Sequence, residues 1–172
     1  MEWAEGRMKW SVLFIAWIGL GWTTVALALN EGKPAPPVEA RTFGGKAFRL
    51  DDYTGKVVVL HFWASWCAPC RKEMPTLETY YEKHRAQGLE ILAVSMDDPA
   101  DEAKAREVMR AFTFPAAMVR DTEAKGYGRI WRIPLTFVID RQGILRKDGW
   151  HGAPTLELPD LEKTVTPLLE SR

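Results

Sequence analysis

The chain has 172 residues, 23 Lys+Arg against 23 Asp+Glu, a hydrophobic fraction of 47% and a charged fraction of 27%. This is the composition of one globular domain with a short extension, neither two full domains nor a disordered chain. Balanced charge excludes a nucleic-acid binder that works through a general basic field, two cysteines exclude a multi-disulfide mini-scaffold, and three histidines leave little for a metal centre.

Residues 10–29 carry no charge, and their only polar side chains are Ser11, Thr23 and Thr24. Twenty helical residues reach about 30 Å, the thickness of a bilayer core. Arg7 and Lys9 precede the run and would hold its start on the cytoplasmic side. Trp3, Trp10, Trp17 and Trp22, half of the eight tryptophans, fall in this region. Two expectations stand side by side. One is an uncleaved anchor over residues 10–29. The other is a signal peptide with its apolar core at 12–22 and a small-x-small cleavage site at Ala26-Leu27-Ala28. Met8-Lys9 also has the form of a signal start. Both readings export the rest of the chain to a periplasmic or extracytoplasmic compartment and limit membrane contact to residues 10–29. Residues 30–37, with Gly32, Pro34, Pro36 and Pro37, read as an extended tether, leaving 38–172 as the domain.

Within the domain, residues 38–43 and 47–50 flank Gly44-Gly45 and predict a short hairpin. Residues 57–63, Val-Val-Val-Leu-His-Phe-Trp, predict a strand covered on both faces. A helix is expected over 67–87, with Met74, Leu77 and Tyr80/Tyr81 at helical spacing and Gly88 as its stop. A second apolar strand follows at 89–96. Asp97-Asp98-Pro99 breaks it and opens a helix near 100–112. Strands are expected at 115–119, 135–140 and 144–149, with a weak helix or loop at 123–131. The last helix carries Leu158, Leu161, Val165, Leu168 and Leu169 on one stripe, kinked or frayed by Pro167. Alternating strands and helices predict an α/β fold: a central mixed sheet with helices on both faces, closed by an antiparallel hairpin.

Cys67-Ala68-Pro69-Cys70 follows a buried strand and opens a helix. Two intervening residues bring both sulfurs onto the first turn, close enough to bridge. The free N–H groups and dipole at that end stabilise a thiolate. Cys67 is expected to be the exposed attacking nucleophile, and Cys70 the resolving thiol. Pro69 fixes the backbone where a missing N–H is tolerated. A zinc site would need about four ligands, and only His61, His84 and His151 remain, none at finger-like spacing. No metal and no cofactor beyond the cysteine pair is therefore expected. A purely structural disulfide closing so short a loop would restrain little chain entropy.

The segment Phe62-Trp63-Ala64-Ser65-Trp66-Cys67-Ala68-Pro69-Cys70 resembles the thioredoxin active site. With Arg71-Lys72-Glu73-Met74-Pro75 behind it, the chain resembles the TlpA/ResA/DsbE group of exported thioredoxin-like reductases over about residues 38–170. The resemblance implies a thioredoxin-like fold with an extra helix near 100–112 and a cis-proline loop at Arg132-Ile133-Pro134. The residues alone favour an ordinary trans turn at Pro134, and it is the resemblance that implies cis. In the implied arrangement the Ile133 backbone lies beside the cysteines and pairs with an extended client segment. Trp66, Ala68, Pro69, Ile133 and Pro134 then form the substrate-binding surface. Resolution by Cys70 needs a proton acceptor. Glu73, one turn past Cys70, matches the active-site glutamate of the group. His61, in the strand beneath, stands where thioredoxin carries an aspartate, and burial would keep it neutral. Leu135 also departs from the group, which usually has threonine or serine after the cis-proline.

The implied activity is extracytoplasmic thiol–disulfide exchange, in the reducing direction, on specific client proteins such as apocytochrome c with its haem-binding cysteines. A membrane thiol reductant of the DsbD/CcdA type would recharge it. Two other classes compete. A thiol peroxidase of the peroxiredoxin group wants a proline seven and a Thr/Ser three residues before its cysteine, where this chain has Leu60 and Ala64. A copper chaperone of the Sco kind spaces its cysteines by three residues, where this chain has two.

Overall fold

The computed structural model describes residues 29–152 and 155–171. The apolar segment predicted at 10–29 therefore lies outside the described residues but for Leu29. Among the described residues no helix is long and apolar enough to cross a membrane.

Seven strands form: β1 (Glu39–Thr42), β2 (Ala47–Arg49), β3 (Val57–Trp63), β4 (Leu89–Ser95), β5 (Ala116–Glu123), β6 (Leu135–Ile139) and β7 (Leu145–Lys147). They make one mixed sheet in the order β2-β1-β5-β4-β3-β6-β7. β3 lies between β4, parallel to it, and β6, antiparallel to it. All seven residues of β3 are buried, as a continuous apolar run in a central strand requires. The α-helices are α1 (Ala68–His84), α2 (Glu102–Met109), α3 (Leu158–Thr164) and α4 (Thr166–Glu170).

Alternation along β3 divides the core in two. Val57, Val59 and Trp63 pack with Met74, Leu77 and Tyr80 of α1, Ala105 and Met109 of α2, and Leu161, Val165 and Leu169 of the C-terminal helices. Val58, Leu60 and Phe62 pack on the other face with Phe48, Phe137, Tyr127 and Leu145. The two faces are covered unequally. The four α-helices supply one layer, whereas the other receives single 3-10 turns at Leu50–Tyr53 and Lys125–Tyr127. The predicted final helix is broken after Val165, where Pro167 opens α4, and Tyr80 Oη rejoins the pieces through Thr166 Oγ1 at 2.8 Å.

Two segments differ from their sequence-based outlines. β5 runs on to Glu123 because β1 offers it an antiparallel edge, pairing Glu39 with Glu123 and Ala40 with Thr122. Residues 30–37 lie along β7: Gly32 N–H donates to the Leu145 carbonyl at 2.8 Å, Leu145 N–H to Lys33 at 2.9 Å, and Ala35 N–H to Gly143 at 2.8 Å. Prolines in this stretch lack donors, but its carbonyls are free to accept; Pro36 takes the Tyr127 hydroxyl at 2.9 Å.

Candidate active site

β3 ends at Trp63 and delivers the chain to a short loop in which Cys67 caps α1. Cys67 has extended backbone angles, and its Sγ accepts the Cys70 N–H at 3.3 Å. One of the orphan donors of the first turn is thus aimed at the sulfur itself, the arrangement that favours a thiolate. Cys67 and Cys70 are joined in a disulfide with their Cα atoms 5.3 Å apart. Cys70 is fully enclosed and Cys67 keeps the small exposed part of the pair, 5%. Around them Trp66, Ala68 and Pro69 are exposed, as are Arg71 and Lys72.

The loop is held from β4's end by Asp97, a residue the sequence marks only as a strand breaker. Its buried carboxylate accepts from Ser65 N–H at 2.8 Å, Ser65 Oγ at 2.6 Å and Ser95 Oγ at 2.7 Å. Three donors on one charged acceptor make a strong anchor. The Ile133–Pro134 peptide bond is cis, with Pro134 buried. Ile133 packs against the buried cluster that contains both cysteines. Its own N–H and carbonyl take part in no hydrogen bond among the described residues.

One turn past Cys70 on α1, Glu73 meets His61 of β3. His61 is fully buried, with Nδ1 2.9 Å from Thr136 Oγ1 on the neighbouring strand and 3.4 Å from Glu73 Oε1. Glu73 Oε2 accepts the Leu156 N–H at 3.1 Å, while Oε1 and His61 Nε2 have no hydrogen-bond partner. Burial pushes the Glu73 carboxyl up to about 8, against which the Leu156 N–H works only partly. Burial likewise lowers His61 to about 3. The contact has the distance of an ion pair but is a neutral acid beside a neutral imidazole, because separating charge there would desolvate both groups. A carboxyl with this affinity is close to a cysteine thiol and suited to exchange a proton with one. On the solvent side, Glu73 lines a groove of about 420 Å³ with Pro69, Lys72, Thr76 and Leu156. A larger hollow of about 500 Å³ lies on the β1–β2–β5 edge, lined by charged residues such as Arg49, Glu39 and Arg120; it contains neither cysteine.

The structure thus brings Cys67, Cys70, Glu73 and His61 into one region, with Trp66, Ala68 and Pro69 at its rim. Asp97, Thr136 and Leu156 were missed by sequence reasoning. Asp97 follows Ser95 at the end of a buried parallel strand, the usual place for site residues in such sheets, and that position was the available signal. Leu156 carries none, since it acts through its backbone.

A dithiol bridged at a helix start, on a mixed sheet beside a cis-proline, defines a thioredoxin-like thiol–disulfide oxidoreductase. Comparison with known proteins agrees. Residues 32–148 match the AhpC/TSA family model, and the chain belongs to that family. It is 33% identical over 146 residues to the thiol-disulfide oxidoreductase ResA of Geobacillus thermodenitrificans, covering 81% of this chain and 84% of the relative. It is 31% identical over 153 residues to the thioredoxin-like protein YneN of Bacillus subtilis, covering 80% and 87%. Among solved structures it is similar to a thiol:disulfide interchange protein of Chlorobium tepidum, with a TM-score of 0.65, 26% identity, and coverage of 83% and 99%. The thioredoxin domain of a thiol-disulfide oxidoreductase from Bacteroides vulgatus gives a TM-score of 0.67 at 25% identity, covering 83% and 100%. The chain is a thiol–disulfide oxidoreductase of the ResA/DsbE type.

Proposed function

We propose that this chain works outside the cytoplasm, reducing disulfides in specific client proteins, with apocytochrome c as the model client. The observation that carries the reading is the Cys67 cap on α1, with its sulfur on the Cys70 N–H and its partner thiol enclosed. The Cys67 thiolate attacks a client disulfide, forming one S–S bond and expelling one client thiolate, which takes a proton from water. Cys70 then loses its proton to Glu73 in its ionised form, the minority form below about pH 8, attacks the Cys67 sulfur and releases the second client thiolate. Two electrons pass from the Cys67/Cys70 pair to the client. A membrane thiol reductant of the DsbD/CcdA type returns them by the reverse exchange.

His61 shapes the affinity of Glu73 for its proton. When Glu73 is ionised, an Nδ1–H tautomer can face it; when Glu73 is protonated, Nδ1 can accept instead. The client segment is held at Trp66, Ala68, Pro69, Ile133 and Pro134, where the unused Ile133 N–H and carbonyl offer a short strand pairing. The uncharged run at 10–29 in the sequence supports export, as an inner-membrane anchor or as a signal removed near Ala28.

The equilibrium reduction potential of the Cys67/Cys70 pair tests the direction. A value near that of thioredoxin, about −270 mV, supports a reductant; one near that of a strong oxidant such as DsbA, about −120 mV, overturns it. The peroxidase and copper-chaperone alternatives gain no supporting observation from the site: Leu60 and Ala64 are buried apolar residues where a peroxidase needs proline and a hydroxyl. Peroxide consumption and copper titration check them directly.

A further inference from the structure

Among the described residues, large apolar side chains stand exposed at Trp66, Trp131 and Leu158. Trp66 and Trp131 are 65% and 73% exposed, and both line the same small pocket, completed by Met96, Ile130, Arg132 and Ile133. The pocket measures about 170 Å³, space for about six waters or one large side chain. One wall adjoins the nucleophile, since Trp66 precedes Cys67. The opposite wall is the cis-proline loop. A contiguous apolar patch, unlike a single exposed residue, is the kind of surface that marks an interaction site.

Trp131 is held ready. Its ring stacks on Trp150 with centroids 5.7 Å apart and planes at 21°. The Arg132 guanidinium lies 5.6 Å from the Trp131 ring centre and 5.5 Å from that of Trp150. Its Nη2 donates to the carbonyls of Gly149 and Trp150. Through Nη2 the one charged group in the lining is tied to the loop, and the remaining five lining residues are apolar. Tryptophan has two side-chain torsions, so a pre-stacked ring gives up little freedom on binding.

We infer that Trp131 is a specificity-determining residue, forming with Trp66 a pocket for one bulky apolar side chain that neighbours the reactive cysteine of an extended client segment. The inference rests on the thiol–disulfide reading and narrows it: the client is a polypeptide with an aromatic or large aliphatic residue beside its cysteine, rather than any accessible disulfide. A wall formed by Trp66, the chain neighbour of Cys67, and another by Ile133, whose backbone is unpaired among the described residues, favour this occupant over a second copy of the chain.

Short peptides test it. Each carries one cysteine in a mixed disulfide with glutathione and has Phe, Leu, Ala or Glu beside that cysteine. Second-order rates of reduction by the reduced protein are measured against glutathione disulfide itself. The Phe and Leu peptides are expected to react at least about tenfold faster than the Ala peptide, the lower end of what a filled apolar pocket confers. In Trp131→Ala the Phe-to-Ala ratio should fall to below about threefold, whereas Trp131→Phe should retain most of it. Ile130→Ser, on the same lining, should lower it too. Because each ratio is taken within one variant, a general loss of activity cancels. Equal rates for all peptides, or an unchanged ratio in both Trp131→Ala and Ile130→Ser, would overturn the assignment. So would sedimentation showing a dimer that Trp131→Ala dissociates while peptide selectivity stays put. Failure to reduce any disulfide, glutathione disulfide included, would instead remove the exchange activity on which the inference stands.

Discussion

His61 Nδ1 lies 3.4 Å from Glu73 Oε1, on two elements separated in the chain by the whole active-site loop. The pair holds one proton in the fold and one in the unfolded chain over a wide pH range, but in different places. Folded, it is a neutral acid beside a neutral imidazole; unfolded, near pH 5.5, it is a carboxylate and an imidazolium.

This sets a stability profile. Folded Glu73 keeps its proton to about pH 8 against an ordinary 4.5, so its contribution is full below 4.5 and lost as pH rises through 8. Folded His61 titrates at about 3 against 6.5, so its contribution is full above 6.5 and lost as pH falls through 3. The two slopes cancel between 4.5 and 6.5, giving a plateau, with a fall of up to about 1.4 kcal/mol per pH unit on each side. Urea denaturation of the oxidised protein from pH 3 to 9 checks this. Glu73→Gln should abolish the fall above 6.5 and leave the acid side in place.

Glu73→Gln should also slow resolution of the mixed disulfide by roughly 10²-fold at pH 7, the lower range for a positioned base. Stopped-flow measurement of the second exchange step reads it. The first step, attack by Cys67, should change little. In His61→Asn the pH midpoint of resolution should move, whereas a purely structural histidine would lower stability without moving it.

The Cys67 thiol should titrate well below the free-cysteine value of about 8.5, and Cys70 should not react in the folded reduced protein below that pH. Rates of alkylation with pH, site by site, measure both. Cys70→Ser should accumulate a stable mixed disulfide with a client at Cys67, whereas Cys67→Ser should trap none.

Asp97→Ala removes the acceptor shared by Ser65 and Ser95 and should destabilise the fold by roughly 1–3 kcal/mol per donor left buried. The loop carrying Cys67 would loosen with it. Alkylation of Cys67 should accordingly become less selective over Cys70, and Asp97→Asn should restore part of both effects.

Gly149 packs so closely on β6 that a Cβ there would lie 2.6 Å from the Thr136 carbonyl oxygen. Gly149→Ala should therefore cost about 1–3 kcal/mol by overpacking, read by thermal or urea unfolding. Because Thr136 contacts His61 and Arg132 holds the Gly149 carbonyl, the variant should also shift the pH dependence of resolution.

Much of the molecule was legible beforehand because its signals are local. The buried run of β3, the cysteines at the start of α1, the Gly88 stop and the break at Pro167 each follow from a residue's own backbone preferences or from periodicity over a few positions. The family resemblance brought Glu73 forward, and a lone polar residue in an apolar run marked His61, but neither signal gave their contact. That contact depends on which face of β3 turns toward α1 and on where β6 sets Thr136, pairings that span 75 residues of chain in the case of His61 and Thr136.

What the sequence determined by itself is the chemistry available: a Cys-x-x-Cys pair at a helix entrance after a buried strand, with an acid one turn on. The tertiary structure alone decided which of these groups are buried together and what surrounds them. It seals Glu73 under the Leu156 backbone, ties the nucleophile's loop to Asp97 and stacks Trp131 on Trp150 across the rim. Propensity and spacing act between neighbours in the chain, whereas desolvation and long-range pairing act between neighbours in space, and only the folded sheet brings those together.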